Sequence, residues 1–438
     1  MGNSTFSYKA VLPEGVSPVQ IVVDSDSGLI ESVIPASTQV DESLLLFPGF
    51  FDIHVHAREF PKPPLNDAET LKKWDTACSK EVFSSAGRAA INGGVIGFAA
   101  MPNDPIAPDN IDAYQQKALL SSRSECPTII FASITARSEP WDELPYKVYL
   151  DIAQNPSTFS DWGVLEDSLW RYKGRRVFFH AEDPDILRKH VGLGDYWKSR
   201  PPEAEIMAVD KILNLTAKIG LVSHICHVST ARAVQIIHEF NATASTKVSC
   251  EVTPHHLFFS VDEKGYMAEG QRVEIKDCLL NSNPPIRSEG DRQYLLEALR
   301  TGKIHVLASD HAPHLLEEKI HGAPGMPHLD TLGPFAGWLI KNCKFSPARI
   351  AQVVSEAPAQ IMAPNLPVKQ GIIKEGFSGS FTVLDMNKET DLETVNGKPG
   401  NRKLFTRCGW SPFEKISLPA YVQLTVINGA SFDYSKGI

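Results

Sequence analysis

Residues 44–56 read LLLFPGFFDIHVH, an apolar run of strand length that closes on two histidines. Seven further runs of the same texture follow: GVIGFAAMPN (94–103), TIIFASIT (128–135), KVYL (147–150), RVFFHAE (176–182), LVSHICHVS (221–229), VSCEVT (248–253) and HVLASD (305–310). Between them lie stretches with helical length and periodicity, such as DAETLKKWDTACSKEVFSSAGRAAING (67–93) and EAEIMAVDKILNLTAKIG (203–220). Strands alternating with helices imply a parallel sheet, and eight such units predict an α/β fold of the (β/α)8 TIM-barrel type. One gap is awkward. Only ARSEPWDE (136–143) separates the third run from the fourth, whereas a parallel crossover usually needs about a dozen residues or more. Either that unit has lost its helix or one of the two strands is misassigned.

The two ends of the chain have a different texture. QIVVDSDSGLIESV (20–33) is an apolar run, a turn and a second apolar run, which reads as a hairpin; FTVLDMNKET (381–390) and YVQLTVINGASFDY (421–434) resemble it. The expected organisation is a barrel over 47–363, with a small β module built from 1–46 and 364–438. No internal repeat or low-complexity tract stands out.

Composition narrows the function. With 438 residues, 42% hydrophobic and 22% charged, the chain can bury a full-sized core. Its net charge of -9 argues against nucleic acid or an anionic membrane as partner and leaves a small-molecule substrate as the expectation. No apolar run reaches the roughly 18–20 residues of a membrane helix. The first residues lack a secretory signal, and Gly2 does not start a myristoylation motif, because Phe6 stands where Ser or Thr is needed. Seven cysteines without tight spacing do not form a disulfide framework. A reducing, cytoplasmic setting is the default.

Barrel chemistry sits at the C-terminal ends of the strands. There the runs carry His54 and His56 after Asp52, then Asn103, Lys147, His180, His227 and Asp310. In a strand, His54 and His56 point to the same face. Imidazoles and a carboxylate at successive strand ends converge on one point, which is what a divalent metal needs. A lone Asp after a strand is most often a helix cap, but the companion histidines shift Asp310 towards a ligand and a proton carrier. His224 lies three residues before His227, so the two should face opposite ways, with His224 structural. His255 and His256 are expected to order the site or its loop, and His311 to support a ligand from behind. His190, His238, His305, His321 and His328 show no pattern.

The segments FPGFFDIHVHAREF (47–60), AAMPND (99–104), KVYL, FHAED (179–183), HICHVST (224–230), CEVTPHHLF (250–258), NPPIR (283–287), ASDHAPH (308–314) and TRCGWSPFE (406–414) together resemble the dihydroorotase family of the amidohydrolase superfamily. The resemblance implies the following roles. His54, His56 and Asp310 would hold one metal and His180 and His227 a second. Lys147, carrying a CO2-derived carboxylate, would bridge them, with zinc the expected ion at both positions. Arg58, Asn103 and His314 would bind the substrate carboxylate, Asn283 would contact the substrate, and Asp310 would move the proton. The implied reaction is the reversible cyclisation of N-carbamoyl-L-aspartate to L-dihydroorotate and water in pyrimidine biosynthesis. The family also implies a homodimer and association with other pyrimidine-pathway enzymes.

The chain departs from the family in places. Glu59 and Phe60 follow Arg58 where Glu-Pro is common, Asp104 replaces Thr after MPN, and ELPYK shortens the segment before Lys147. His328 and Asp330 replace a common glycine and glutamate, and Asp330 and Thr331 are expected near the loop that closes the pocket. Two alternatives stay open: another cyclic amidohydrolase, an allantoinase or hydantoinase, and a non-catalytic scaffold. Ring substrates of the first lack the carboxylate that Arg58 would hold. Scaffolds of the second kind have lost ligands, and here all six are present.

Overall fold

The computed structural model describes residues 3–153, 157–392 and 400–434; Gly2 lies outside them. The apolar runs become eight barrel strands: Phe50–Val55, Val95–Ala100, Thr128–Ile130 continuing as Ala132–Ser133, Tyr146–Leu150, Arg176–Ala181, Val222–Ile225, Ser249–Val252 and Val306–Leu307. Pairing is parallel throughout, and bridges between Val55 and His311 close the ring. The awkward gap is a lost helix. The third and fourth strands pair directly, Ala132 with Tyr146 and Ser133 with Lys147, and residues 134–145 between them form turns only. Both strand assignments therefore stand.

Helices cover the outside for local reasons. Asp67 caps Ala68–Lys80 by accepting from the Thr70 N–H at 3.0 Å. Pro202 opens Pro202–Ile219, and Gly220, at φ +82, ends it in the left-handed region that a side chain would strain. Inside the barrel, Phe51, Ile53, Phe131, Phe178 and Val306 pack into an apolar floor under the C-terminal mouth. The first strand slips register twice, at Phe50/Phe51 and between Asp52 and Val55. Such irregularities re-aim side chains, and this strand carries apolar Ile53 into the floor and His54 and His56 into the mouth.

The ends of the chain do meet. Ser4–Leu12, Gly15–Val23, Ile30–Pro35 and Leu44–Pro48 join Phe381–Asp385, Tyr421–Ile427 and Ala430–Asp433 in one seven-stranded sheet. Phe6, Ile21, Leu46, Phe381 and Val426 form its own buried cluster. Phe6, which breaks the myristoylation pattern, is a core residue here. Thr425 Oγ1 donates to Ile91 O at 2.8 Å and Thr382 Oγ1 to Gly94 O, fastening the module to the barrel. All seven cysteines are free thiols, and among the described residues no helix is long and apolar enough to cross a membrane.

Candidate metal centre and substrate pocket

Strand ends deliver the expected residues other than Lys147 to one cavity of about 260 Å³, lined by His54, His56, Arg58, His180, His227 and Asp310 among others. His54 Nε2 and His56 Nε2 lie 3.3 and 3.2 Å from the same oxygen, Asp310 Oδ1. Each ring is fixed from behind. His54 Nδ1–H donates to Glu251 Oε1, and His56 Nδ1–H donates to Asn103 Oδ1 at 2.7 Å. A donor on Nδ1 leaves Nε2 with its lone pair, the form a metal requires. Burial also holds His54 and His56 below the usual imidazole range, so both are neutral. Asp310 is raised above ordinary carboxylates by burial, against the opposing pull of His54.

His180 and His227 form the second half. His180 Nε2–H donates to Glu182 Oε2 at 3.0 Å, which turns its Nδ1 lone pair towards His227 Nε2, 3.0 Å away. Burial, reinforced by His180, keeps His227 well below the normal range and neutral. The rings of His54 and His227 are 5.2 Å apart, so the two halves adjoin.

Lys147 is fully buried in the barrel interior, level with Phe178 and Ser133. Its Nζ lies 2.8 Å from Cys226 Sγ and 5.0 Å from the centre of the Tyr149 ring, and no carboxylate lies within ion-pair distance among the described residues. Its charge reaches His54, His56, His227 and Asp310. A buried ammonium with no anion is costly. A lysine converted to an anionic carbamate between two dications would remove that cost, so the surroundings fit the bridging role.

The substrate-side residues sit on the rim. Arg58 Nη2 is 3.3 Å from His314 Nε2, while its enclosed Nε has no hydrogen-bond partner among the described residues. Burial pulls His314 down to about 3, so it is neutral beside the guanidinium. Arg58 does not pair with the adjacent Glu59, which instead binds Arg123 at 2.6 Å and the Phe83 N–H at 3.0 Å. Asn283 Oδ1 accepts from the Tyr196 hydroxyl. Asn103 is committed to His56 through Oδ1, so only its Nδ2 could meet an anion.

Other expectations need correction or completion. His224 and His227 do not obey strand alternation, because the strand ends at Ile225 and His227 has φ +34. Both reach Glu251 instead: His224 Nε2–H at 3.1 Å and the His227 backbone N–H at 3.3 Å. Asp330 accepts from Asn92 Nδ2, Phe405 N and Thr406 N. His256 donates to Pro284 O at 3.1 Å, tying down the loop of Asn283. His311 Nδ1 accepts two backbone N–H groups, so its Nε2–H donates to Glu81.

Sequence reasoning missed Glu251, which gathers His54, His224 and His227. Its signal was a carboxylate inside the apolar run VSCEVT. It also missed Cys226, which with His54 and Glu251 forms a second convergent set of metal-type donors, and Tyr149, whose buried hydroxyl has no partner. A third set, Asp151, His180 and Glu182, is engaged by Arg200, which bonds Glu182 through Nε at 3.1 Å and Asp151 through Nη2 at 2.9 Å. It is an ion-pair network holding His180.

These buried His, Asp and Glu clusters are consistent with a metal site on a barrel mouth, and comparison with known proteins agrees in class. The fold matches an L-hydantoinase (dihydropyrimidinase) from Arthrobacter aurescens with a TM-score of 0.79, covering 98% of this chain and 96% of that one at 20% identity. It matches a dihydropyrimidinase from Brevibacillus agri with a TM-score of 0.76, covering 98% and 95% at 18% identity. The architecture is thus that of the hydantoinases, a TIM barrel with a β module from both termini. In sequence, the chain is similar to dihydroorotases: 29% identical over 394 residues to that of Pyrococcus abyssi, covering 89% of this chain and 84% of the relative. The dihydroorotase of Methanothermobacter thermautotrophicus is 29% identical over 414 residues, covering 90% and 86%. No family model matches the chain. The relatives in sequence are named dihydroorotases and the neighbours in fold hydantoinase or dihydropyrimidinase, and the similarity to dihydroorotases spans about nine-tenths of the chain.

Proposed function

We propose that the chain is a dihydroorotase, interconverting L-dihydroorotate plus water with N-carbamoyl-L-aspartate. One observation supports this over a hydantoinase reading. A guanidinium, Arg58, stands at the cavity rim beside a neutral histidine, with an enclosed Nε that has no hydrogen-bond partner among the described residues. A ring substrate bearing a carboxylate would complete it, whereas a bare hydantoin ring would leave it a buried, unmatched cation.

In this reading His54, His56 and Asp310 would hold one ion and His180 and His227 another, with a carboxylated Lys147 supplying an anionic oxygen ligand between them. Two zinc ions bound there would supply Lewis-acid polarisation of the ring amide and acidify the attacking water. The chain's own groups do the rest. Arg58, His314, Asn103 and Asn283 fix the carboxylate end, so that the ring amide faces Asp310. As water attacks the carbonyl carbon, Asp310 takes its proton; as the C–N bond breaks, Asp310 returns that proton to the ring nitrogen. In the synthetic direction Asp310 removes a proton from the carbamoyl NH2, which attacks the side-chain carboxyl, and water departs. Glu251, Asn103 and Glu182 hold the three ring tautomers that make this possible.

The test is turnover of dihydroorotate, hydantoin and allantoin by the purified protein, with metal analysis. Dihydroorotate is expected to be the preferred substrate, with about two ions per chain. Preference for hydantoin or allantoin, or a metal-free inactive chain, would refute the reading.

A further inference from the structure

Lys319 lies outside the catalytic group, on the short helix Leu316–Ile320 that follows His314, and its side chain is completely buried. Its Nζ donates to Asn281 O at 2.9 Å and to Gly325 O at 2.8 Å. No carboxylate lies within ion-pair distance of it among the described residues. The other groups facing it are the Trp410 ring, 5.7 Å away, and the thiols of Cys278 and Cys408. Burial pushes its pKa down to about 7, which measures how thoroughly water is excluded from this ammonium.

The two carbonyls belong to two segments that reach the cavity. Asn281 is two residues before Asn283, and Gly325 lines the cavity with Pro324. The two segments also touch each other directly, Gly325 N–H to Asn281 O at 2.8 Å. Gly325 has φ +128, and a Cβ there would come within 2.5 Å of Ala312 O, so its segment presses on the one leading to His314. Trp410 completes the ring by donating from Nε1 to His314 O at 2.7 Å. One buried cation thus stands where the segments of Asn283, His314 and Gly325 meet.

We propose that Lys319 is a positioning residue for the anion-binding rim: by tying Asn281 to Gly325 it sets the spacing at which Asn283 and His314 meet the substrate's carboxylate. The inference rests on the dihydroorotase reading for its substrate, but the tie itself is independent of it. Because the rim holds a part of the substrate that does not react, loosening it weakens ground state and transition state alike. The metal ligands and Asp310 make no bond to Lys319 and keep their places.

The experiment uses the full-length metal-loaded protein with K319M, which keeps the stem and removes the donors, and K319Q, which keeps one amide donor. In K319M, KM for dihydroorotate is expected to rise about tenfold or more with kcat changed less than about threefold and metal content unchanged; K319Q should fall between it and wild type. Hydrogen exchange of the segments around Asn281–Pro284 and Pro324–Met326 should quicken in both variants, with the remaining barrel amides unaffected. Unchanged KM together with unchanged exchange would overturn the proposal. So would loss of fold or of metal in both variants, which would make Lys319 a general stabiliser. If the wild type proves inactive on dihydroorotate, the functional reading fails, and the exchange data still decide whether Lys319 ties the rim.

Discussion

Replacing Arg58 with methionine tests the substrate assignment at its most exposed point. The side chain reaches the cavity from a residue at φ +59, and methionine keeps the same β-carbon, so the backbone strain is unaltered while the five donors disappear. In wild type the guanidinium has only His314 Nε2, at 3.3 Å, as a described partner. Its remaining hydrogen-bonding capacity is therefore already organised for a ligand. Two charge-assisted bonds to a carboxylate contribute roughly 1.5–3 kcal/mol each, about 3–6 kcal/mol together. That corresponds to a fall of about 10²–10⁴ in kcat/KM for dihydroorotate. Arg58 makes no bond to His54, His180, His227 or Asp310 that would disturb the metal donors, so R58M should retain the wild-type ion content. The assay is steady-state hydrolysis of dihydroorotate alongside elemental analysis of the same preparation. A loss below about tenfold with metals retained would show that this guanidinium does not hold the carboxylate. A large loss accompanied by loss of metal would show that it acts on the centre itself.

Three further outcomes follow from the buried charges. E251Q removes the anion shared by His54, His224 and His227; metal affinity should fall about 10–100-fold, read by retention against a graded chelator, and wild-type retention would exclude a role in orienting His54. K117M strands buried Asp104, whose ion pair with Lys117 also lies against Met101 O. The expected cost is about 3–5 kcal/mol, or roughly 3–5 °C in unfolding temperature at about 2.1 cal/mol/K per residue, with K117M/D104N recovering part of it; no shift would mean that Asp104 finds another partner or protonates at no cost. His256 and His305 are held neutral by burial, at about 3 and about 4. Their folded pKa values lie below the unfolded value, so their contribution is complete above about pH 6.5 and is lost as pH falls towards 4, by up to about 1.4 kcal/mol per pH unit for each ring. H256Q should flatten the decline of stability between pH 6.5 and 4, and an unaltered slope in chemical denaturation would refute the assignment.

The barrel was legible because each strand is a short apolar run and each outer helix keeps its period; even the lost third helix showed as a gap too short for a crossover. The pairing of the two ends was legible from the texture of 20–33, 381–390 and 421–434, but Leu44–Pro48, read as the start of the first barrel run, belongs to the module and pairs with Phe381–Asp385. Individual strand-end histidines were legible as candidates. Periodicity failed where strands stop. His227 is two residues beyond its strand, so an alternation counted from His224 does not apply to it. Glu251 was hidden for a different reason: a lone carboxylate in an apolar run acquires meaning only when the neighbouring strand sets His224 opposite Ser249 and brings His54 across the barrel. The partners of Asp330 could not be read from the chain either, because its donors come from residues 92, 405 and 406.

Failure at the strand ends has a common physical cause. Among the described residues seven non-glycine residues have positive φ, and three of them, Arg58, His227 and Asp310, are at this cavity. Each such conformation costs on the order of 1–3 kcal/mol and persists only where the surroundings over-determine it. Here a buried carboxylate that is not an expected metal ligand stands beside each one. Asp52 accepts from the N–H groups of Ser309 and His54, pinning the turn into Asp310. Glu251 accepts from His227's own N–H. Glu59, next to Arg58, is locked to the Phe83 N–H and Arg123. The strain that turns three functional side chains into one cavity is thus held by three acids, none of them an expected metal ligand or proton carrier. Asp52 shows how enclosed these acids are: burial raises it to about 7. A strand's hydrophobic period carries no trace of such a bend, but an acid next to a strand-end functional residue does. Asp52, Glu59 and Glu251 were all visible in the chain as charges in or beside apolar runs, and their common role emerges only when the backbone they hold is known.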